Sequence, residues 1–168
     1  VMRGQHQKRY LGINFWLACY VLQLSALSLL VFRGFFPSFV SVVIHTLISS
    51  GNFLLFCGLE KFLDKRSSQK HNYFVIAVSI LAYAFFVYEQ PSFIARQVIS
   101  SLVHIFLFFQ CAWLLLGRVP IEQRNQTRFL GIIFSLYCCN YTVRIILAIL
   151  HNPGNEYFNL NTLSVVPY

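Results

Sequence analysis

Five apolar runs, most of them close to 20 residues long, alternate with short polar connections along this chain. A helix needs about 20 mainly apolar residues to cross the hydrocarbon core of a bilayer. Because 57% of the residues are hydrophobic and only 11% are charged, the composition excludes a soluble domain. We therefore predict an all-α integral membrane bundle of about five transmembrane helices that contacts the lipid bilayer. In chain order the runs are Leu11–Phe32, Phe39–Leu59, Tyr73–Tyr88, Gln97–Leu116 and Phe129–Leu150.

The lysines and arginines of the connections are divided unequally between the two sides of such a bundle. One side carries ten of them and the other carries only Arg33 and Arg96. Lys and Arg accumulate in cytoplasmic loops, so this bias predicts a cytoplasmic N-terminus. It also explains the net charge of +8 without a nucleic-acid partner, which we do not expect. The ten are Arg3, Lys8, Arg9, Lys61, Lys65, Arg66, Lys70, Arg118, Arg124 and Arg128.

Arg144 lies inside the fifth run, roughly 9 Å from its outer end at Leu150. A charged side chain at the centre of a bilayer costs at least about 2.5–3.5 kcal/mol. We therefore expect the guanidinium to face other helices, water or a bound anion. Glu89 is the only acidic residue beside the outer ends of the runs. Arg144 and Arg96 thus leave surplus positive charge there, which a ligand carboxylate or phosphate would match.

Polar residues recur at helical spacing in the second and fourth runs, and each of these stripes contains one histidine. At 1.5 Å per residue, His45 lies roughly 10 Å and His104 roughly 12 Å below the outer surface, at a depth similar to that of Arg144. We predict an outward-facing polar pocket anchored by Arg144; the alternative is a structural hydrogen-bond cluster without a ligand. The predicted ligand-binding residues are Arg144, Arg96, His45, His104, Asn140 and Tyr141.

The sequence contains no recognisable catalytic motif. It has no nucleophile elbow, no phosphate-binding glycine loop and no paired carboxylates inside an apolar run. The cysteines have neither the spacing of a CxxC pair nor that of a Cys/His zinc site, so we expect no metal site. We therefore expect neither an enzyme nor a required cofactor in these residues.

Several short motifs occur in a characteristic order. The second run contains Asn52 and closes with Gly58-Leu59-Glu60-Lys61-Phe62-Leu63 before a basic loop, Arg96 opens a run that continues with Ser100-Ser101, and the last run carries Arg144. Over most of residues 10–150 this order resembles the multi-helix N-terminal membrane sensor regions of bacterial GGDEF diguanylate cyclases. The resemblance implies an input module in the inner membrane that regulates a cytoplasmic domain making cyclic di-GMP. The Gly-Gly-Asp-Glu-Phe motif itself does not occur here, so the resemblance implies a missing output domain.

The two ends of the chain lead us to expect part of a longer protein. Val1 precedes Met2, and an Asn-rich polar tail runs to Tyr168. We interpret residues 1–168 as a single transmembrane sensor-like domain.

Three functional hypotheses follow. The first is a sensory input module, monomeric or homodimeric, whose outer pocket binds a small and possibly anionic ligand. The second is a b-type haem protein in which His45 and His104 are the axial ligands, since such a site needs two imidazoles at equal depth. The third is a non-catalytic assembly or transport subunit. A visible spectrum of the purified protein separates the second from the others.

Overall fold

Five long helices make up most of the described part of the chain. The computed structural model describes residues 12–34, 37–65, 67–117, 119 and 124–151. These residues contain no strand, and a single 3-10 turn at Phe32–Gly34 follows the first helix. The predicted all-α class is therefore confirmed. The helices are α1 (Ile13–Val31), α2 (Pro37–Phe62), α3 (Lys70–Tyr88), α4 (Phe93–Gly117) and α5 (Arg124–His151).

Each of the five helices is long and apolar enough to cross a membrane. Their boundaries follow the apolar runs, but α3, α4 and α5 each begin three to five residues before the run does. A helix extends through flanking polar residues as long as its backbone hydrogen bonds continue, whereas hydropathy marks only the apolar part. The chain is thus a multi-pass membrane protein, and its many exposed leucines, such as Leu24 and Leu81, are compatible with lipid contact.

Helices α2 and α4 form the centre of the bundle. Helix α1 packs on α2, α5 packs on α4, and α3 lies against both α2 and α4. The buried side chains of the centre form two separate clusters, and both include residues of α2 and α4. One cluster contains Phe56, Leu59, Cys111, Leu114 and Leu115, and the other contains Phe53, Ile76, Val103 and Leu107.

Helices α1 and α2 approach closely where Gly58 faces Trp16. A Cβ atom added to Gly58 would lie 2.5 Å from two atoms of the Trp16 indole, which is far below a van der Waals contact. Small residues at a helix interface allow membrane helices to pack closely. Glycine at position 58 therefore leaves room for the Trp16 ring in its observed position between α1 and α2.

The end of α2 is closed by a Schellman motif. The amide of Lys65 donates to the Glu60 carbonyl at 2.8 Å and the amide of Asp64 to the Lys61 carbonyl at 3.2 Å. Asp64 has a φ of 52°, the left-handed conformation that this motif requires and that Asp tolerates better than most residues. The motif turns the chain back towards α3 and holds the last turn of α2, including Glu60, in place.

Candidate functional site

A cavity of about 130 Å³ lies between four helices, near the end of the bundle where α1 and α3 end and α2 and α4 begin. We call it the histidine cavity, because His45 of α2 and His104 of α4 both line it. A third aromatic ring, that of Tyr83, comes from α3. The complete lining is Leu30, Ser41, Ile44, His45, Ile48, Tyr83, Ser100 and His104.

His45 is held by an aromatic neighbour. Its side chain is only 4% exposed. The imidazole stacks on the ring of Tyr83, with 4.3 Å between the centroids and 9° between the planes. Stacking fixes the plane of the imidazole and so directs its edge, which carries the polar nitrogens.

His104 is held by both a stack and a hydrogen bond. It is 3% exposed and stacks on Tyr141 of α5, with 4.9 Å between the centroids. Its Nδ1 is hydrogen-bonded to the backbone carbonyl of Ser100, one turn earlier. Because a carbonyl oxygen can only accept, we assign the proton to Nδ1. In the neutral ring, Nε2 is then an acceptor without a proton.

The Nε2 atoms of His45 and His104 are both buried, and neither has a hydrogen-bond partner among the described residues. The hydroxyls of Ser49 and Ser101, one turn away on the same helices, are also buried without a partner. Leaving a buried polar group unsatisfied costs about 1–3 kcal/mol. A molecule in the histidine cavity that donates a hydrogen bond to one or both imidazoles would remove this cost.

The structure does not bring the six predicted residues into one pocket. Arg144 is exposed on α5 and does not line the histidine cavity. One of its guanidinium nitrogens, Nη2, donates to the side-chain oxygen of Gln97 on α4 at 3.3 Å. Asn140 is exposed on the same side of α5. The guanidinium thus contacts a neighbouring helix, which is one of the surroundings expected for it, but Arg144 is not part of the histidine cavity.

Tyr141 and Arg96 lie at intermediate positions. Tyr141 is half-buried and forms the outer wall behind His104, so it supports the cavity without lining it. Arg96 is also half-buried, and its Nε donates to the carbonyl of Ser92 one turn earlier, at 3.2 Å. Of the predicted set, therefore, only His45 and His104 share the cavity.

Sequence reasoning missed the contribution of the third helix. Tyr83 lies within an apolar run, and a single serine one turn earlier, Ser79, does not distinguish it from a packed aromatic residue. The hydrogen bond between His104 and the Ser100 carbonyl, in contrast, could be predicted from residue spacing. Ser100 precedes His104 by four residues, the spacing at which a side chain reaches a carbonyl of the previous turn.

The cavity does not fit a porphyrin. Pockets for drug-sized ligands have volumes of about 300 Å³ and more, which is over twice that of the histidine cavity. Among the described residues there is also no group of three or more His, Cys, Asp or Glu side chains that could hold a metal ion. The residues present are better suited to a small organic ligand.

Comparison with protein-family models, curated proteins and solved structures found no match for this chain. The candidate function therefore depends on the geometry of the histidine cavity.

Proposed function

We propose that this chain is the input module of a sensor in a bacterial inner membrane, and that it binds a small ligand in the histidine cavity. The regulated output is a cytoplasmic domain, a diguanylate cyclase according to the sequence resemblance. One observation carries the proposal: two buried imidazole nitrogens without a hydrogen-bond partner belong to the wall of one cavity.

The volume of the cavity limits the size of the ligand. An apolar cavity of about 150 Å³ accommodates benzene. At about 130 Å³ the histidine cavity therefore takes a ligand close to benzene in size, with no more than about seven non-hydrogen atoms. The walls are apolar at Leu30, Ile44 and Ile48, so the ligand has an apolar body as well as a polar group.

The hydrogen-bonding character of the wall sets the polarity of the ligand. Because Nε2 of His104 accepts, the matching ligand group is an O–H or N–H donor. The anionic ligand expected from the sequence depended on Arg144, and Arg144 lies outside the cavity. We therefore replace it with a neutral hydrogen-bond donor.

Four helices contribute to the wall, so occupancy is linked to their packing. A ligand shifts a conformational equilibrium only if it binds two packings with different affinity. A molecule that bridges His45 on α2 and His104 on α4 favours the packing in which the two imidazoles lie at bridging distance. A change in the α2–α4 separation is thus the signal that we propose is passed to the output domain.

Thermal unfolding of the purified chain in lipid nanodiscs tests ligand binding. The probes are phenol and pyrrole, which donate a hydrogen bond, and benzene, which is intermediate between them in size and donates none. A probe at 100 times its Kd stabilises the folded state by about 2.7 kcal/mol. We expect phenol or pyrrole to raise the unfolding temperature more than benzene does.

Matched histidine variants assign the effect to the cavity. The double variant H45L/H104L should lose the difference between phenol and benzene. His71→Leu is the control, because His71 is an exposed histidine of α3 that does not line the histidine cavity. If benzene stabilises the wild type as well as phenol and pyrrole do, or if H45L/H104L keeps the difference, the imidazoles do not bind the ligand and the proposal is wrong.

A further inference from the structure

A second and larger cavity, of about 390 Å³, lies at the opposite end of the bundle, near the end of α2 and the start of α3. Its polar wall contains Glu60, His71 and Gln110. Its apolar wall contains the aromatic rings of Phe56, Phe109 and Trp113. We call it the Glu60 cavity. It is separate from the histidine cavity and plays no part in the proposed function.

Glu60 is a buried carboxylate whose charge is not neutralised by a described neighbour. Its side chain is 7% exposed and forms no ion pair with a Lys, Arg or His among the described residues. The next residue, Lys61, places its ammonium over the ring of Phe15, 4.1 Å from the centroid. Buried charges in proteins are normally paired with an opposite charge, since an unpaired one costs several kcal/mol.

The carboxylate has bonding capacity left over. One oxygen, Oε1, accepts from the hydroxyl of Ser67, and the other, Oε2, accepts from the amide of Gln69. An ionised carboxylate can accept about four hydrogen bonds. Two acceptor positions therefore remain for a further donor, and a cationic donor would also neutralise the charge.

A chain of amide hydrogen bonds fixes the carboxylate in the cavity wall. The amide nitrogen of Gln110 donates to Asn72 at 2.8 Å, and that of Asn72 donates to Gln69 at 2.7 Å. Since Glu60 can only accept, every amide in the chain is oriented with its donor pointing towards it. Asn72 is fully buried, so this chain links α4, α3 and α2 inside the protein and holds the Glu60 carboxylate ready for a ligand.

Carboxylate and aromatic rings together define the ligand. A cation is attracted to the faces of aromatic rings within about 6 Å, most strongly to Trp. The volume lies in the range of about 300–1,000 Å³ found for organic ligands and far exceeds the space that a bare metal ion occupies. We propose that the Glu60 cavity binds an organic primary ammonium group, which donates to Glu60 while its carbon chain lies against Phe56, Phe109 and Trp113.

Two sources supply this chemistry. Glu60 lies two residues before the end of α2, roughly 3 Å along the helix axis from that end, and is therefore close to the aqueous side. The ammonium headgroup of phosphatidylethanolamine reaches this depth, and so does a free amine from the aqueous side. The experiment below has one arm for each source.

Trp113 reports on the cavity directly. The chain has two tryptophans, so a Trp16→Phe background leaves Trp113 as the only indole. The purified chain in nanodiscs of phosphatidylcholine, a lipid without net charge or an N–H donor, is titrated with phenethylamine and with 2-phenylethanol, its neutral analogue. We expect the amine to change the Trp113 fluorescence with at least about tenfold higher affinity than the alcohol, a difference of about 1.4 kcal/mol.

Variants and lipids complete the test. Glu60→Gln should lower the affinity for phenethylamine at least about tenfold, while Glu89→Gln, at an exposed carboxylate that does not line the cavity, should leave it unchanged. Nanodiscs that contain phosphatidylethanolamine should block the amine if the lipid headgroup is the natural occupant, and should leave the titration unchanged if a free amine is. Equal affinity for amine and alcohol in the wild type, or equal amine affinity in Glu60→Gln, would overturn the proposal. The comparison of amine with alcohol needs no Glu60 variant and remains decisive if that variant does not fold.

Discussion

His104→Leu is a substitution at a fully buried position that we expect to leave stability almost unchanged. Three effects decide the outcome. Removing the unsatisfied Nε2 gains about 1–3 kcal/mol, since the buried acceptor no longer lacks a partner. Losing the stack on Tyr141 costs about 0.5–1.5 kcal/mol, and losing the hydrogen bond to the Ser100 carbonyl costs a similar amount.

Gain and losses are close to equal, so the unfolding free energy of His104→Leu should differ from the wild-type value by less than about 1 kcal/mol. This small change contrasts with the loss of a well-packed buried side chain, which normally costs about 2–5 kcal/mol. The assay is unfolding by SDS titration in mixed micelles, followed by far-UV circular dichroism. His71→Leu, at an exposed position, is the control and should stay within about 0.5 kcal/mol of the wild type.

Adding phenol to His104→Leu distinguishes a loss of ligand binding from a loss of stability. With phenol present, the wild type should gain stability and His104→Leu should not, because the acceptor is gone. A loss of more than about 2 kcal/mol in the absence of ligand would show that Nε2 is satisfied in the folded protein. The argument for a ligand in the histidine cavity would then fail.

Further predictions concern packing, topology and the exposed arginine. Gly58→Ala should be less stable than Gly117→Ala by about 1–3 kcal/mol in the SDS titration, because a Cβ at 58 meets the Trp16 ring whereas one at 117 meets nothing within 4 Å; equal stabilities would contradict the close α1–α2 contact. Ser67→Cys should resist a membrane-impermeant maleimide added to intact cells, and rapid labelling would reverse the predicted topology. Arg144→Leu should insert at least as well as the wild type and keep the phenol response, since Arg144 does not line the histidine cavity; a lost response would return Arg144 to the binding site. The purified protein should show no Soret band, and a band that depends on both cavity histidines would restore the haem hypothesis.

The helices and their number could be predicted from the sequence because they depend on local properties. A run of about 20 apolar residues has no stable alternative to a helix in lipid, where every backbone amide needs an internal partner. The two histidines could be identified as candidate site residues from local properties as well. Their depths follow from counting residues along straight helices, so His45 and His104 were expected at one level before any packing was known.

The neighbours of each helix were decided only by the tertiary structure. Periodicity shows that Asn140 and Arg144 share a face of α5, but not whether that face meets another helix. Helix α5 packs mainly on α4, where Asn140 and Arg144 are exposed, while Tyr141, one residue away from Asn140, is turned towards His104. The contribution of Tyr83 and the chain of amides that ends at Glu60 depend in the same way on contacts between different helices. Such contacts are set by the fit of whole helix surfaces, which residue spacing along a single helix does not contain.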